Sequence, residues 1–242
     1  MHKLFSVALA AALFGLAGAA RADVCLAPFF RNGGHVVWSG TGMLQMSADL
    51  TFSDVRRMAQ GSCSAHVQGK ASIRLAGLPA GKTRVDHIVT IENGQSTFAR
   101  VGRPAAESAG RQLDLRLLGL FGYDGPITRA GQRFPARSFQ LRLGEAGADP
   151  SVPAGSLTVH LKEKTVGARQ PIETPLGWKS CWPVRYERIT DPTYASFNGV
   201  PLPLPGMQSK VTDWVCPDVN LVMRQEIEQA GQRSVIEVTK IE

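Results

Sequence analysis

Apolar and polar residues alternate along most of this chain with a period of two. The apolar positions of the five clearest segments are Ala71, Ile73 and Leu75; Val85, His87, Val89 and Ile91; Leu113, Leu115 and Leu117; Phe139, Leu141 and Leu143; and Leu157, Val159 and Leu161. Such alternation places one set of side chains on one face of a β-sheet and the other set in solvent. Parallel strands are buried on both faces and show continuous apolar runs instead. The pattern therefore predicts an antiparallel sheet.

Turn signals support this interpretation. Asn93-Gly94 and Gln229-Ala230-Gly231-Gln232 each separate two alternating segments, as the turn of a β-hairpin does. Only Asp54–Gln60 has the apolar spacing of a helix, with Ser53 as the N-cap and Gly61 as the stop. We predict an all-β, mainly antiparallel fold. It would be a curved sheet or half-barrel of about ten or eleven strands with one short helix, or alternatively a β-sandwich.

The first 22 residues have the pattern of a secretory signal peptide. A cationic Met1-His2-Lys3 precedes the uncharged Leu4–Ala20, and Ala20-Arg21-Ala22 matches the small-x-small cleavage signal. We predict cleavage after Ala22 and a single antiparallel β domain over residues 23–242. The mature chain would have no transmembrane segment and would lie in the periplasm or outside the cell. Loss of Lys3 and Arg21 lowers the formal net charge from +7 to +5.

Export favours disulfide bonds. Cys25, Cys63, Cys181 and Cys216 are an even number of cysteines in an oxidising compartment. Three connectivities are possible. We favour Cys25–Cys63 with Cys181–Cys216, because each of these pairs closes a loop within one half of the chain. A zinc site is not favoured, since no C-x-x-C motif occurs.

The sequence contains no G-x-S-x-G, H-E-x-x-H, Walker or EF-hand motif. We therefore predict a non-enzymatic protein with no catalytic residue, cofactor or metal. The histidines His35, His66, His87 and His160 occur singly, which is typical of surface or half-buried residues. A hydrolase assembled from dispersed residues is an alternative. A structure that places His87 or His160 within hydrogen-bond reach of a serine and a carboxylate would favour it.

Two other arrangements of site residues can be considered. Asp213 with Glu226, or Asp86 with Glu92, could form a carboxylate pair for glycoside chemistry, although their spacing is not diagnostic. Met43, Met46 and Met58 with His35 are soft ligand types of the kind that bind copper. Met43 and Met46 are an odd number of positions apart, so a strand directs them to opposite faces and a core role is favoured.

Two segments are longer than a hairpin turn requires, Gly167–Lys179 and Asp191–Gly206. Proline at every second position of Pro201–Pro205 forces an extended path that is neither helix nor inner strand. Long apolar loops of this kind are either lids and binding loops or caps over a core. The candidate lid or binding residues are Tyr194, Phe197, Val200, Leu202 and Leu204.

The positive charge suggests a second class of function. Several arginines gather in Arg100–Arg142. They could form a basic face that binds another envelope protein or an acidic polymer, with an attraction that salt weakens. A solvated polar face of the sheet is the simpler interpretation. Nucleic acid is not an expected partner outside the cytoplasm.

The closing part of the chain has a family-like pattern. Pro183-Val184-Arg185-Tyr186-Glu187-Arg188 is followed by Val211-Thr212-Asp213-Trp214-Val215-Cys216-Pro217-Asp218-Val219-Asn220-Leu221-Val222-Met223-Arg224-Gln225-Glu226. This resembles the closing strands of exported bacterial β-clam proteins, the half-barrel group that includes the lipoprotein carriers. The resemblance implies an incomplete barrel whose concave apolar face holds an acyl chain or another lipid-like ligand. An exported, non-enzymatic carrier is therefore the predicted function.

Overall fold

The computed structural model describes residues 24–42, 44–58, 61–75, 78–92, 95–101, 111–112, 125–143, 155–197 and 200–242. The predicted signal peptide with its cleavage after Ala22, the segment Leu113–Leu117 and Met43 lie outside these residues. In the part of the chain that is described, 17 strands and one 3₁₀ turn, Val24–Leu26, are present. No helix within these ranges is both long and apolar enough to span a bilayer.

The strands are β1 (His35–Thr41), β2 (Leu44–Arg57), β3 (Cys63–Leu75), β4 (Leu78–Glu92), β5 (Gln95–Arg100), β6 (Arg111–Gln112), β7 (Arg133–Phe134), β8 (Arg137–Leu143), β9 (Gly155–Leu161), β10 (Lys164–Val166), β11 (Gln170–Thr174), β12 (Gly177–Thr190), β13 (Thr193–Phe197), β14 (Val200–Leu204), β15 (Met207–Cys216), β16 (Leu221–Gln229) and β17 (Gln232–Ile241).

Fifteen of these strands form one curved, open sheet that is not closed into a barrel. Its order is β5-β4-β3-β2-β1-β17-β16-β15-β12-β10-β7, and every pairing except β4 with β6 is antiparallel. On the side away from β15, β12 pairs in turn with β11, β10 and β9. Strand β8 extends the sheet beyond β9. The predicted all-β, mainly antiparallel curved sheet is confirmed.

The alternating residues divide the sheet into two faces. The inner face carries the buried positions of successive strands, and its side chains pack into one hydrophobic cluster. Its members include Val36, Trp38, Leu50, Phe52, Val67, Val85, Val89, Val184, Val211, Ile227, Ile236 and Val238. The outer face carries the intervening, more exposed positions, among them Arg185, Glu187, Lys210 and Thr212. In β4, the period of two thus predicted which side chains are buried, since Val85, His87, Val89 and Ile91 all are.

The predicted helix at Asp54–Gln60 is wrong, because β2 continues through Arg57. Ser53 pairs with His66 and Arg56 with Ser64, so that Asp54 and Val55 together oppose one residue of β3. This β-bulge, with Asp54 at φ 49°, shifts the apolar spacing away from strict alternation. Pairing with β3 supplies ladder hydrogen bonds that outweigh the weak local helix signal.

The strands are more numerous than predicted, because both segments interpreted as long loops contain strands. Gly167–Lys179 includes β11 and the start of β12, which pair as a hairpin. Asp191–Gly206 includes β13 and β14, which form a separate two-stranded ribbon. The proline-rich Pro201–Pro205 is extended, as predicted, and lies in this ribbon outside the main sheet.

Both favoured disulfides are present. Cys25 of the 3₁₀ turn is bonded to Cys63 at the start of β3, with a Cα–Cα distance of 5.7 Å. Cys181 of β12 is bonded to Cys216 of β15, with a Cα–Cα distance of 4.1 Å. All four cysteines are buried. The first bond attaches the N-terminal turn to the sheet, and the second joins two neighbouring strands.

Candidate functional sites

A serine, a histidine and an aspartate meet on the outer face. Ser138 of β8 lies directly opposite His160 of β9, and its hydroxyl is 2.7 Å from His160 Nδ1. Asp191 follows the end of β12, and both of its carboxylate oxygens are 3.1 Å from His160 Nε2. The three side chains thus come from three segments that the sheet register brings together.

These hydrogen bonds define which tautomer neutral His160 adopts. An ionised carboxylate can only accept, so Asp191 requires the proton on Nε2. Nδ1 then presents its lone pair, which accepts the hydroxyl hydrogen of Ser138. The side chains of His160 and Asp191 are 35% and 51% exposed. The group is therefore accessible to molecules in solution.

Two other histidines of the outer face also contact aspartates. His35 Nε2 is 2.7 Å from Asp49, and His66 Nε2 is 2.6 Å from Asp86. The remaining ring nitrogen of each lies near a second carboxylate, at 3.5 Å from Glu242 and 3.9 Å from Asp54 respectively. His160 differs from both, because its second ring nitrogen, Nδ1, lies next to a serine hydroxyl.

Asp86 illustrates the electrostatics of these pairs. Burial works to raise the pKa of this carboxyl, but hydrogen bonds from His66 and Gln68 and the positive charge of Arg84 outweigh that effect. The pKa of Asp86 is consequently lowered. The His66–Asp86 contact therefore has the character of a charge-stabilised surface pair.

A second polar group lies on the inner face. Asp213 of β15 is opposite Gln225 of β16, and Gln225 Nε2 donates to Asp213 Oδ1 at 2.7 Å. Tyr186 also hydrogen-bonds to Asp213, and Lys164 Nζ lies 4.9 Å from the centre of the Tyr186 ring. All four residues are buried.

Burial raises the pKa of Asp213, and this effect exceeds the opposing influences of the Lys164 charge and of the hydrogen bonds from Gln225 and Tyr186. The amide oxygen of Gln225 is buried and has no hydrogen-bond partner among the described residues. An unsatisfied buried acceptor costs about 1–3 kcal/mol. The inner face therefore contains one acceptor that a ligand could satisfy.

The outer face also has a groove of about 570 Å³ beside the serine–histidine–aspartate group. Acidic and basic side chains alternate along it, including Lys162, Arg185, Glu187, Lys210, Glu226 and Glu228. This mixture of charges suits a polar ligand rather than a uniformly acidic one. In the described part of the predicted arginine-rich region, Arg133 is paired with Glu163 at 3.2 Å.

The predicted lid residues lie on the β13–β14 ribbon. Tyr194 is 65% exposed and Leu204 is half-buried. The side chains of Phe197, Val200 and Leu202 are outside the description, although their backbones pair across the ribbon. A hydrogen bond from the Thr193 hydroxyl to the Ser156 carbonyl oxygen, at 2.7 Å, attaches the ribbon to β9. Its role as a lid stays a prediction.

The other residue groups are not brought together. Asp213 points to the inner face and Glu226 to the outer face, so they cannot act as a carboxylate pair. Met46 is buried in the core, whereas Met58 is exposed, and His35 lies on the outer face. Asp86 is held by His66, and Glu92 is an exposed residue at the end of β4.

Sequence reasoning did not identify Ser138, Asp191, Lys164, Tyr186 or Gln225 as site residues. A register for the β8–β9 hairpin would have placed Ser138 opposite His160. Asp191 gives no such signal, because its position depends on the pairing of β9 with the distant β12.

Comparison with known proteins supports the fold. No family model and no curated protein matches the chain. A solved structure of a Parabacteroides distasonis protein, described provisionally as a lipoprotein, is similar with a TM-score of 0.50 and 14% identity, covering 88% of this chain and 98% of that one.

Two other solved structures are more distant. A provisionally assigned exported protein of Bacteroides fragilis with a YmcC-like fold has a TM-score of 0.44 and 10% identity, covering 88% of this chain and 96% of that one. A β-barrel-like protein of Brucella abortus, from a domain family of unknown function, has a TM-score of 0.28 and 12% identity, covering 86% and 96% of the two chains. At 14% identity, the likeness to the Parabacteroides distasonis structure concerns the fold alone. The two disulfides fit a location outside the cytoplasm.

Proposed function

We propose that the protein is an exported binding protein that holds an amphipathic, lipid-like ligand against the inner face of its open sheet. The apolar chain of the ligand would lie along the inner residues of the central strands. Its polar end would donate a hydrogen bond to the Gln225 amide oxygen. Such binding needs no covalent step.

The Gln225 oxygen is the observation that carries this proposal. It is a fully buried acceptor without a described partner, on a face whose buried side chains are mostly apolar. A hydroxyl or amine donor would remove the penalty of leaving it unsatisfied. The inner side chains pack against one another. A bound acyl chain would therefore replace some contacts between side chains with contacts between side chains and the ligand. This exchange keeps the same surface out of water.

The supporting features are consistent with this function. The sheet is open, so the inner face is not sealed by strand pairing around its whole circumference. Small-molecule sites are typically apolar with a few convergent polar groups. Asp213 and Tyr186 beside Gln225 provide such polar groups in a face built mainly from aliphatic and aromatic residues.

Competition between two ligands of one chain length tests the proposal. We expect a long-chain alcohol to displace the fluorescent apolar probe N-phenylnaphthylamine more effectively than its methyl ether, because only the alcohol can donate to Gln225. Gln225→Met should abolish this preference, a change of up to about tenfold in affinity. The matched control is Gln208→Met on the outer face, which should preserve it. Protein that binds neither ligand, or a preference that survives Gln225→Met, would contradict the proposal.

A further inference from the structure

We propose that Ser138, His160 and Asp191 form a nucleophilic site that cleaves esters of polar, hydroxyl-bearing molecules. This activity would be additional to ligand binding on the inner face, because the three side chains lie on the outer face. It rests on two observations: the hydrogen-bonded geometry of the three side chains, and the adjacent polar groove.

The geometry meets the requirements of an activated serine. A nucleophile, a base and a group that orients the base must be linked by hydrogen bonds. Ser138 Oγ and His160 Nδ1 are 2.7 Å apart, and both Asp191 oxygens lie 3.1 Å from His160 Nε2. Asp191 holds the proton on Nε2 and thereby leaves Nδ1 free to act as a base.

The other histidine–aspartate pairs show why this group is distinctive. In the His35 and His66 pairs, the second ring nitrogen is near a carboxylate rather than a hydroxyl. An ionised carboxylate there only accepts hydrogen bonds and supplies no hydroxyl nucleophile. Contacts between a histidine and an aspartate of, or just after, the neighbouring strand thus recur on the outer face of this sheet. Only the His160 contact among these three also includes a serine hydroxyl, which can act as a nucleophile.

The reaction would proceed through an acyl-enzyme. Ser138 Oγ adds to the ester carbonyl carbon while its proton passes to His160 Nδ1. That proton moves to the departing alcohol oxygen as the carbon–oxygen bond of the ester breaks, leaving the acyl group on Ser138. Water then adds to the acyl carbon and gives a proton to Nδ1. The bond to Oγ breaks, the proton returns to Oγ, and a carboxylic acid leaves.

The surroundings of the site indicate the substrate class. Along β12, Glu187 lines the outer groove, Ile189 is opposite His160, and Asp191 follows. The groove therefore begins two residues along β12 from Ile189, on the side of His160 that faces β12. Its mixed charges favour a neutral or zwitterionic alcohol part that is rich in hydroxyls. Exposed Lys162 lines the same groove and supplies positive charge for the developing oxyanion.

The ribbon of β13 and β14 stands at the other end of the site. Thr193 follows Asp191 by two residues and fixes the ribbon to β9. Exposed Tyr194 provides an apolar surface there for the acyl group. A polar alcohol in the groove and a short acyl group on the ribbon side would suit this arrangement.

Covalent labelling of the full chain tests the nucleophile. A fluorophosphonate probe should modify Ser138, as located by peptide mass spectrometry, and Ser138→Ala should not be labelled at this position. His160→Gln should slow labelling about a hundredfold or more. The matched control His66→Gln also removes an outer-face histidine–aspartate contact and should leave labelling unchanged. Unlabelled Ser138, or equal labelling rates in wild type and His160→Gln, would overturn the proposal.

Steady-state hydrolysis tests the supporting residues. Asp191→Asn should lower kcat for p-nitrophenyl acetate while KM stays unchanged, because Asp191 positions His160 and does not contact substrate. Lys210→Met in the groove should raise KM for a glucose monoacetate about tenfold and leave that for p-nitrophenyl acetate unchanged. Arg129→Met, at an exposed position that does not line the groove, is the control. Equal effects of Lys210→Met on both esters would overturn the assignment of the groove.

Discussion

Ala230 occupies a backbone conformation that alanine rarely adopts. It has φ 49° and precedes Gly231 at φ 75° in the turn between β16 and β17. Two successive positive φ values define the hairpin turn for which Asn-Gly is the preferred sequence. The left-handed region costs alanine about 1–2 kcal/mol, whereas asparagine tolerates it.

We therefore expect Ala230→Asn to stabilise the protein by about 1 kcal/mol, measured as the free energy of unfolding in urea. Ala230→Val, which puts a β-branched side chain at the same φ, should be destabilising. Equal stabilities of the two variants would contradict the turn geometry described here.

Asp213 makes stability depend on pH. Its pKa is raised by burial in the folded state, whereas the unfolded chain keeps a value of about 4. Between these two values the folded state binds more protons than the unfolded state, so stability falls as the pH rises. Asp213→Asn keeps an acceptor for Gln225 and removes the titrating group.

Relative to wild type, Asp213→Asn should accordingly gain stability as the pH rises above about 4. Urea denaturation at several pH values measures this difference. A difference that is constant over the range would show that Asp213 does not retain its proton in the folded protein.

At the level of the strands, the alternation of apolar and polar residues identified the buried side chains of segments with one packed face. Val85, Val89 and Ile91 are buried, as their spacing predicts, because a sheet with one packed face selects that register. The spacing misled at Asp54, where a bulge replaces regular pairing. It did not predict β13 and β14, because the prolines of β14 are unfavourable in a sheet and the two strands pair with each other outside the main sheet.

The 3₁₀ turn at the start of the described chain depends on its disulfide. Cys25–Cys63 holds this turn on β3, and the following Phe29 packs on Phe52 of β2 with ring centres 5.0 Å apart. The bond closes a loop with a sequence separation of 38 residues. A cross-link of this span restricts the unfolded chain.

We expect the double variant Cys25→Ala/Cys63→Ala to lose about 2–4 kcal/mol of unfolding free energy, measured by urea denaturation. Cys181→Ala/Cys216→Ala provides the comparison, because its loop has a similar separation of 35 residues. A loss below about 1 kcal/mol for the first variant would show that the packing of the turn does not depend on the bond.

At the level of the whole molecule, the fold was far more predictable than the sites. Period-two alternation needs only neighbouring residues, and the favoured cysteine pairing needs only that each bond close a loop within one half of the chain. The Ser138–His160–Asp191 group requires the register of β8, β9 and β12 at once, and Asp191 is 31 residues away from His160 along the chain. Gln225 and Asp213 are only 12 residues apart on the consecutive strands β15 and β16, but their burial depends on how the whole inner face packs.

The position of β1 and β17 has a consequence for how the molecule is made. These strands pair near the middle of the sheet, and His35 and Glu242 exchange backbone hydrogen bonds of 2.9 Å. Contacts so distant in sequence form late and slowly. The centre of the sheet therefore cannot assemble until the ribosome has synthesised the last strand. Until then, the edge of β1 that pairs with β17 has no partner.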